Sequence, residues 1–143
     1  MARLPLPENL YGIFFDQIWD KTKVWALPTA PSTLPLEQLI WHLDLTVWTT
    51  MPGEPRFDLA PRTVLAQPDA FSRDWHKIMT AETIYPLEMF RRGERWVVLD
   101  DYHRLARHIL DRTLYIPVRL HPDEYWEDIL VSVGTGAVNK QNC

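Results

Sequence analysis

Two acidic residues stand beside a basic pair at Asp100, Asp101, His103 and Arg104. The apolar run 95–99 precedes them and apolar residues at helical spacing follow, so they are expected at a strand-to-helix junction. A helix N-terminus presents unpaired N–H groups and a partial positive charge, and a guanidinium in the first turn would complete an anion site. The pattern therefore predicts anion binding at this junction, with Arg104 as a contact.

The two aspartates complicate this anion site. Asp101 is expected to cap the helix, where its carboxylate would repel a phosphate by about a kcal/mol or more. A magnesium ion held by Asp100 or Asp101 would reverse that effect. Both are therefore candidate catalytic residues, which would hold magnesium or orient a hydroxyl nucleophile. The structural alternatives stay open: Asp100 accepting loop amides, and Arg104 bridging the helix to a neighbouring carboxylate.

A second candidate cluster is formed by His42 and Asp44. Two residues apart, they share a face if the chain is extended, and such a pair can do acid–base work or bind metal. The alternative is a half-buried strand edge, which often shows the same pattern. Segment 36–45 fits a helix as well as a strand, so its conformation stays open. His103 and His108 are five apart, which misses the usual zinc spacing, so no metal site is predicted.

The N-terminal half is expected to form short secondary-structure elements joined by rigid turns, because most of the twelve prolines lie there. These elements must help to position the candidate site residues. Apolar residues at helical spacing, acidic residues early and Lys21 late predict an amphipathic helix over 8–21. A linker is expected at 28–32. Two short helices are expected over 59–66 and 70–81.

The C-terminal half has clearer patterns. Residues 86–90 and 95–99 predict two strands joined by a turn at 91–94, with Gly93 where a positive φ is wanted. Glu88, in mid-strand, is expected on a solvated face. A helix follows from Asp101, then a strand over 115–120 and a final helical turn or two over 123–130.

Three segments of this half resemble the core of the ParB/sulfiredoxin superfamily. They are Tyr85-Pro86-Leu87-Glu88-Met89-Phe90, Trp96-Val97-Val98-Leu99-Asp100-Asp101-Tyr102-His103-Arg104-Leu105-Ala106 and Ile116-Pro117-Val118-Arg119. The resemblance implies an α+β fold with a small mixed sheet and flanking helices, here with an added N-terminal helix. It also implies that His103 and Arg104 contact nucleotide phosphates, as in CTP-binding partition proteins, free-serine kinases and ATP-using sulfiredoxins.

Two positions depart from the family pattern. Asp101 stands where the Leu-Asp-Gly-x-His-Arg motif has glycine, and Tyr102 stands where sulfiredoxins have their catalytic cysteine. Because Cys143 is the sole thiol, sulfiredoxin chemistry is excluded.

Length and composition predict one domain of 143 residues. We expect the N-terminal helix and linker over 1–34, the ParB-like core over 35–130 and a flexible tail over 131–143. No apolar run approaches the ~20 residues that span a bilayer, and the N-terminus has no continuous apolar region, so a cytoplasmic location without membrane contact is expected.

The chain has a net charge of −4 and no basic stripe, which disfavours DNA as a partner. The chain also ends soon after the core, leaving no room for a helix-turn-helix domain. The favoured hypothesis is binding of a nucleotide or other phosphorylated small ligand, such as ATP, ADP or CTP with magnesium, with phosphoryl transfer left open. The alternative is a non-enzymatic module that binds a protein partner through exposed aromatic residues such as Trp41, Trp48 and Trp126.

Overall fold

Four β-strands form one mixed sheet in this computed structural model, which describes residues 6–15, 17–51, 53 and 56–131. The strands are β1 (Ser32–Pro35), β2 (Leu87–Arg92), β3 (Arg95–Val98) and β4 (Tyr115–Leu120), in the order β1-β4-β2-β3. The pairs β1·β4 and β2·β3 are antiparallel, and β2·β4 is parallel. This confirms an α+β class with a small mixed sheet.

Short helices surround the sheet. The α-helices are α1 (Lys21–Trp25), α2 (Pro61–Ala66), α3 (Ser72–Met79) and α4 (Tyr102–Leu110). Single-turn 3₁₀ helices lie at Glu8–Leu10, Leu36–Gln38, Ile40–Asp44, Asp123–Tyr125 and Glu127–Ile129. In the part of the chain that the structure describes, every helix is too short or too polar to cross a membrane.

The β2–β3 hairpin is confirmed. Gly93, at φ +64°, lies in the turn, where glycine adopts a positive φ without a steric penalty. The chain then enters α4 and returns through β4, which lies beside β2 with Leu87 opposite Val118. A crossover helix is what a parallel neighbour requires, so strand β4 and helix α4 also match their predicted positions.

The predicted helix over 8–21 is wrong. The chain forms only the turn Glu8–Leu10 and then bends at Gly12, whose φ of +69° no right-handed helix accommodates. Trp19 instead forms an extended bridge to Leu130. Helix α1 begins only after Asp20, whose carboxylate accepts the N–H of Thr22 at 2.9 Å, as an N-cap residue does.

Other parts of the N-terminal half follow the prediction more closely. The predicted linker 28–32 leads straight into β1, and segment 36–45 resolves into two 3₁₀ turns rather than a strand. Helices α2 and α3 lie within the expected ranges. The predicted tail lies outside the described residues except for Val131.

The sheet is buried on both faces, because alternate side chains of each strand point to opposite sides. One face packs against the N-terminal segment and the turn Glu127–Ile129; its buried residues are Phe15, Trp19, Val24, Phe90, Val97, Leu99 and Ile129. The other face packs against α4 and segment 36–45; its buried residues are Leu39, Leu87, Met89, Val98, Leu105, Ile116 and Val118. A third cluster, Leu59, Val64, Ile78 and Ala106, joins α2 and α3 to α4.

Candidate functional site

The strand-to-helix junction is closed by the protein's own carboxylate. Asp101 is the N-cap residue of α4, and its Oδ1 accepts the N–H of Arg104 at 3.1 Å. Its Oδ2 lies 2.8 Å from Nη2 of the same arginine. The backbone of Asp101 is left-handed, with φ 71° and ψ 52°. The cap prediction is confirmed, and the carboxylate occupies the place where an anion at the helix start would bind.

Arg104 is held on several sides. Besides Asp101, its Nε donates to the carbonyl of Glu82 at 2.7 Å and its Nη1 to the carbonyl of Pro86 at 3.3 Å. The guanidinium lies 5.7 Å from the ring centre of Tyr85. This is the structural alternative foreseen from the sequence, in which the arginine bridges the helix to a carboxylate and also ties down segment 82–86.

His103 turns away from Arg104. Its Nε2 lies 3.0 Å from Oδ1 of the buried Asp74, and its ring stacks on Trp48 with centres 4.1 Å apart. Burial lowers the pKa of His103, although Asp74 acts in the opposite direction. The predicted pair is therefore split: Arg104 lines the cleft described next, whereas His103 joins α4 to α3.

A cleft of about 570 Å³ lies beside the junction. Helix α1, segment 82–86, the junction and the adjoining sheet strands all contribute residues to its lining. Two of these residues, Trp25 and Tyr85, are 62% and 53% exposed. Large aromatic side chains left open to solvent beside a concave surface are typical of ligand sites.

Asp100 and Lys21 form a loose ion pair in this cleft. Oδ1 of Asp100 accepts the N–H of Asp101 at 2.7 Å, and Oδ2 lies 3.5 Å from Nζ of Lys21. Burial raises the pKa of Asp100, while the ammonium of Lys21 acts against that rise. The Lys21 side chain is 42% exposed, so its ammonium can reach a ligand in the cleft.

Glu88 was expected on a solvated face, and this prediction is wrong because the α1 segment covers it. Its Oε1 accepts from Nε of Arg119 at 2.9 Å and from Nε2 of the buried His121 at 2.6 Å. Arg119 also donates to the carbonyls of Val24 at 2.7 Å and Leu27 at 2.8 Å. This polar cluster attaches α1 to the sheet, and Glu88 and Arg119 line the cleft.

The second predicted cluster does not form. His42 is fully buried; its Nδ1–H donates to the carbonyl of Leu39 at 2.9 Å and its Nε2 accepts the N–H of Val98 at 3.1 Å. Burial lowers the pKa of His42 to about 4. Asp44 instead lies in solvent and pairs with Arg62 at 2.6 Å. The 3₁₀ turn separates the two side chains, whereas an extended strand would have placed them on one face.

Within 6–15, 17–51, 53 and 56–131, no three His, Cys, Asp or Glu side chains are grouped so as to hold a metal ion on their own.

Sequence reasoning missed the cleft residues that come from distant segments, namely Lys21, Trp25, Glu82, Tyr85 and Arg119. One signal was available: Glu88 and Arg119 each interrupt an apolar strand, and they lie at paired positions of the register. By contrast, the tryptophans expected to be exposed, Trp41, Trp48 and Trp126, are half-buried.

Comparison with known proteins gives no match: no family model, no curated protein and no solved structure matches this chain.

Proposed function

We propose that this chain binds a small phosphorylated ligand with a planar ring, such as a nucleotide, in the cleft between α1 and the junction. One observation carries the proposal: the exposed aromatic residues Trp25 and Tyr85 line the same cleft as the charged pair Lys21 and Asp100. A cavity of about 570 Å³ is within the usual size range of small-molecule sites. The rings offer stacking for a base, and the pair offers contacts to its charged groups.

The phosphate contact moves from the helix start to Lys21 in this proposal. Asp101 already accepts the amide of Arg104 in the first turn of α4, and the Arg104 guanidinium is engaged by Asp101 and by two carbonyls. The ammonium of Lys21 has Asp100 as a loose partner at 3.5 Å. A partly exposed ammonium is a common point-charge contact for phosphate oxygens.

The charge of the cleft favours a magnesium-bound ligand over a free nucleotide. Its acidic residues are Glu82, Glu88, Asp100 and Asp101, and its basic residues are Lys21, Arg104 and Arg119. Magnesium binds through one or two carboxylates together with substrate phosphates. Asp100 is the carboxylate we assign to this role, because within the described part of the chain its one ion pair is the loose contact with Lys21 at 3.5 Å.

We extend the proposal to the fold and suggest a ParB/sulfiredoxin-like arrangement over residues 85–121. The order of hairpin, α4 and a parallel β4 supports it. So does the φ of +71° at Asp101, because the family motif has glycine at that position and glycine adopts such a φ without strain.

Thermal shift measurements with ATP, ADP and CTP, each with and without magnesium, test the ligand proposal. We expect at least one magnesium-bound nucleotide to raise the melting midpoint, since ligand at ~100 times its Kd adds about 2.7 kcal/mol of stability. Lys21→Ala and Tyr85→Ala should each reduce the shift. The matched controls Lys23→Ala, on the same helix, and Tyr11→Ala, another exposed tyrosine, should retain it.

If no nucleotide moves the wild-type midpoint, the ligand proposal fails. That result would favour the second candidate function, a protein-interaction module that kept the fold without the ligand. The closed junction favours that candidate, because Asp101 and Arg104 form a hydrogen bond and an ion pair there that need no ligand.

A further inference from the structure

The hairpin of β2 and β3 carries a cluster of arginines at the end of β3 remote from the cleft. Arg91, Arg92 and Arg95 surround the turn at Gly93 and Glu94. We propose that this hairpin is a docking surface for an acidic segment of a partner protein. The proposal is independent of the cleft and of any nucleotide.

Each of these arginines lies over an aromatic ring. The pairs are Arg91 over Trp96 at 5.5 Å, Arg92 over Phe15 at 4.9 Å and Arg95 over Trp41 at 4.6 Å. A ring attracts a guanidinium through its face and leaves the N–H edges of the guanidinium unused. The rings thus hold the cations in position, and among the described residues no side-chain hydrogen bond occupies these guanidiniums.

Most of the other arginines that the structure describes lie close to an acidic side chain. Carboxylate partners within 4.0 Å are present for Arg62, Arg73, Arg104, Arg107 and Arg119. Among the residues that the structure describes, no carboxylate lies that close to Arg91, Arg92 or Arg95. Arg92 and Arg95, paired across the hairpin, lie over rings on one face of the sheet, and Arg91 lies over a ring on the other. Among the described residues these three arginines outnumber the neighbouring acids Glu94 and Asp123, so the hairpin end is locally cationic in a chain of net charge −4.

A small cavity of about 210 Å³ opens beside these arginines. Arg91 and Arg92 line it together with one acidic residue, Asp123, and the rings of Phe15, Phe90 and Trp126. An apolar side chain of a partner would find an aromatic socket there, while flanking carboxylates would meet the guanidiniums in bidentate geometry. The partner that fits is therefore an acidic segment with an apolar anchor residue.

The net charge favours an acidic protein segment over a nucleic acid. A polynucleotide derives most of its affinity from phosphate contacts along an extended basic surface, and this chain is acidic overall. A short acidic segment needs only a few guanidiniums, and its carboxylates match their fork geometry.

Fluorescence anisotropy with the full chain tests the docking surface. The probe is a short labelled peptide with glutamates on both sides of one leucine. Two further probes are the same peptide with lysines in place of the glutamates and a single-stranded oligothymidylate. We expect the acidic peptide to bind most tightly. Arg91→Glu and Arg95→Glu should each weaken it about tenfold, while the exposed Arg112→Glu, outside the hairpin, leaves it unchanged.

Three outcomes overturn the proposal. They are equal binding of the lysine peptide, tighter binding of the oligothymidylate, and an equal loss of affinity in Arg112→Glu. Near-ultraviolet circular dichroism monitors the tryptophans in each variant. If a glutamate variant unfolds, Arg95→Gln replaces it in the test. A tenfold loss of affinity for the acidic peptide would support the docking surface, and unchanged affinity would refute it.

Discussion

Asp101 combines three roles in one side chain. It caps α4, neutralises Arg104 and adopts a left-handed backbone at the turn out of β3. Its cap role was predictable, because an acidic residue ahead of a helical apolar pattern is a common N-cap. The left-handed φ was not, since non-glycine residues rarely adopt it.

Paired substitutions at Asp101 separate the cap from the backbone. Both Asp101→Gly and Asp101→Ala remove the carboxylate, but only alanine retains a Cβ that opposes a φ of +71°. We expect the alanine variant to be less stable than the glycine variant by about 1 kcal/mol, as measured by urea denaturation.

The control for this pair is Asp111, at the other end of α4, where φ is −80°. Glycine should offer no advantage over alanine there, because alanine adopts a right-handed backbone freely. Equal stability of the two Asp101 variants would show that the backbone conformation at this position costs nothing.

The partners of Arg104 show why residue patterns could not predict the whole site. Its backbone acceptors Glu82 and Pro86 precede it by 22 and 18 residues. A long side chain selects such acceptors only after the segments have packed, so the motif indicated the position of the arginine and not its partners. His103 followed the same rule when it paired with Asp74 on α3.

At the scale of elements, the turn Ile40–Asp44 covers the β3 edge of the sheet at Val98. β3 is an edge strand, and an uncovered edge invites pairing with another chain. His42 accepts the N–H of Val98, and the hydroxyl of Tyr102 donates to the carbonyl of Val98 at 3.3 Å. Both backbone groups of that edge residue are thereby satisfied within the chain.

This arrangement makes stability depend on pH. The pKa of His42 is about 4 in the folded chain against an ordinary 6.5, because burial disfavours the charged ring. Between these values the unfolded chain binds more protons, so the free energy of unfolding falls as the pH falls from 6.5 to 4. Over this pH range the contribution of His42 lowers the free energy of unfolding by about 3 kcal/mol.

Urea denaturation of the wild type and of His42→Gln across this pH range measures the effect. Carboxylates and the other histidines titrate in both proteins, so the difference between the two curves reports His42 alone. The wild type should lose more stability than the variant on acidification. Parallel curves would contradict a neutral, buried His42.

The elements themselves were predicted unevenly. From Leu87 to Leu120, apolar runs and turn residues match the observed hairpin, helix and strand, because each is long enough to carry its own pattern. Residues 8–21 were predicted as a helix on periodicity alone. Gly12 and the bridge of Trp19 to Leu130 override that periodicity through a contact between opposite ends of the described chain.

At the scale of the whole molecule, one sheet contributes side chains to two buried clusters, one on each face. Each cluster therefore depends on the same sheet. Val97 and Val98 are neighbours in β3 and belong to opposite clusters. Loss of either layer would expose apolar surface of the same strands, and we expect one cooperative unfolding transition.

Leu105→Ala tests this coupling. Leu105 is fully buried between α4 and the sheet, and its truncation should cost about 2–5 kcal/mol. Tryptophan fluorescence and far-ultraviolet circular dichroism should still give coincident transitions, although Trp19 lies on the opposite face. A separate tryptophan transition would reveal two independently folding layers.

The attachment of α1 through Arg119 has a consequence for how occupancy of the cleft is detected. The helix that carries Lys21 and Trp25 is joined to the sheet by bonds from one guanidinium to the carbonyls of Val24 and Leu27. When this short helix lifts away, the cleft loses a wall and its affinity for any occupant. By thermodynamic linkage, a ligand bound in the cleft must therefore reduce the population of the open state in which α1 is detached from the sheet. Slower deuterium uptake by the α1 amides would therefore register even a ligand that has no optical signal.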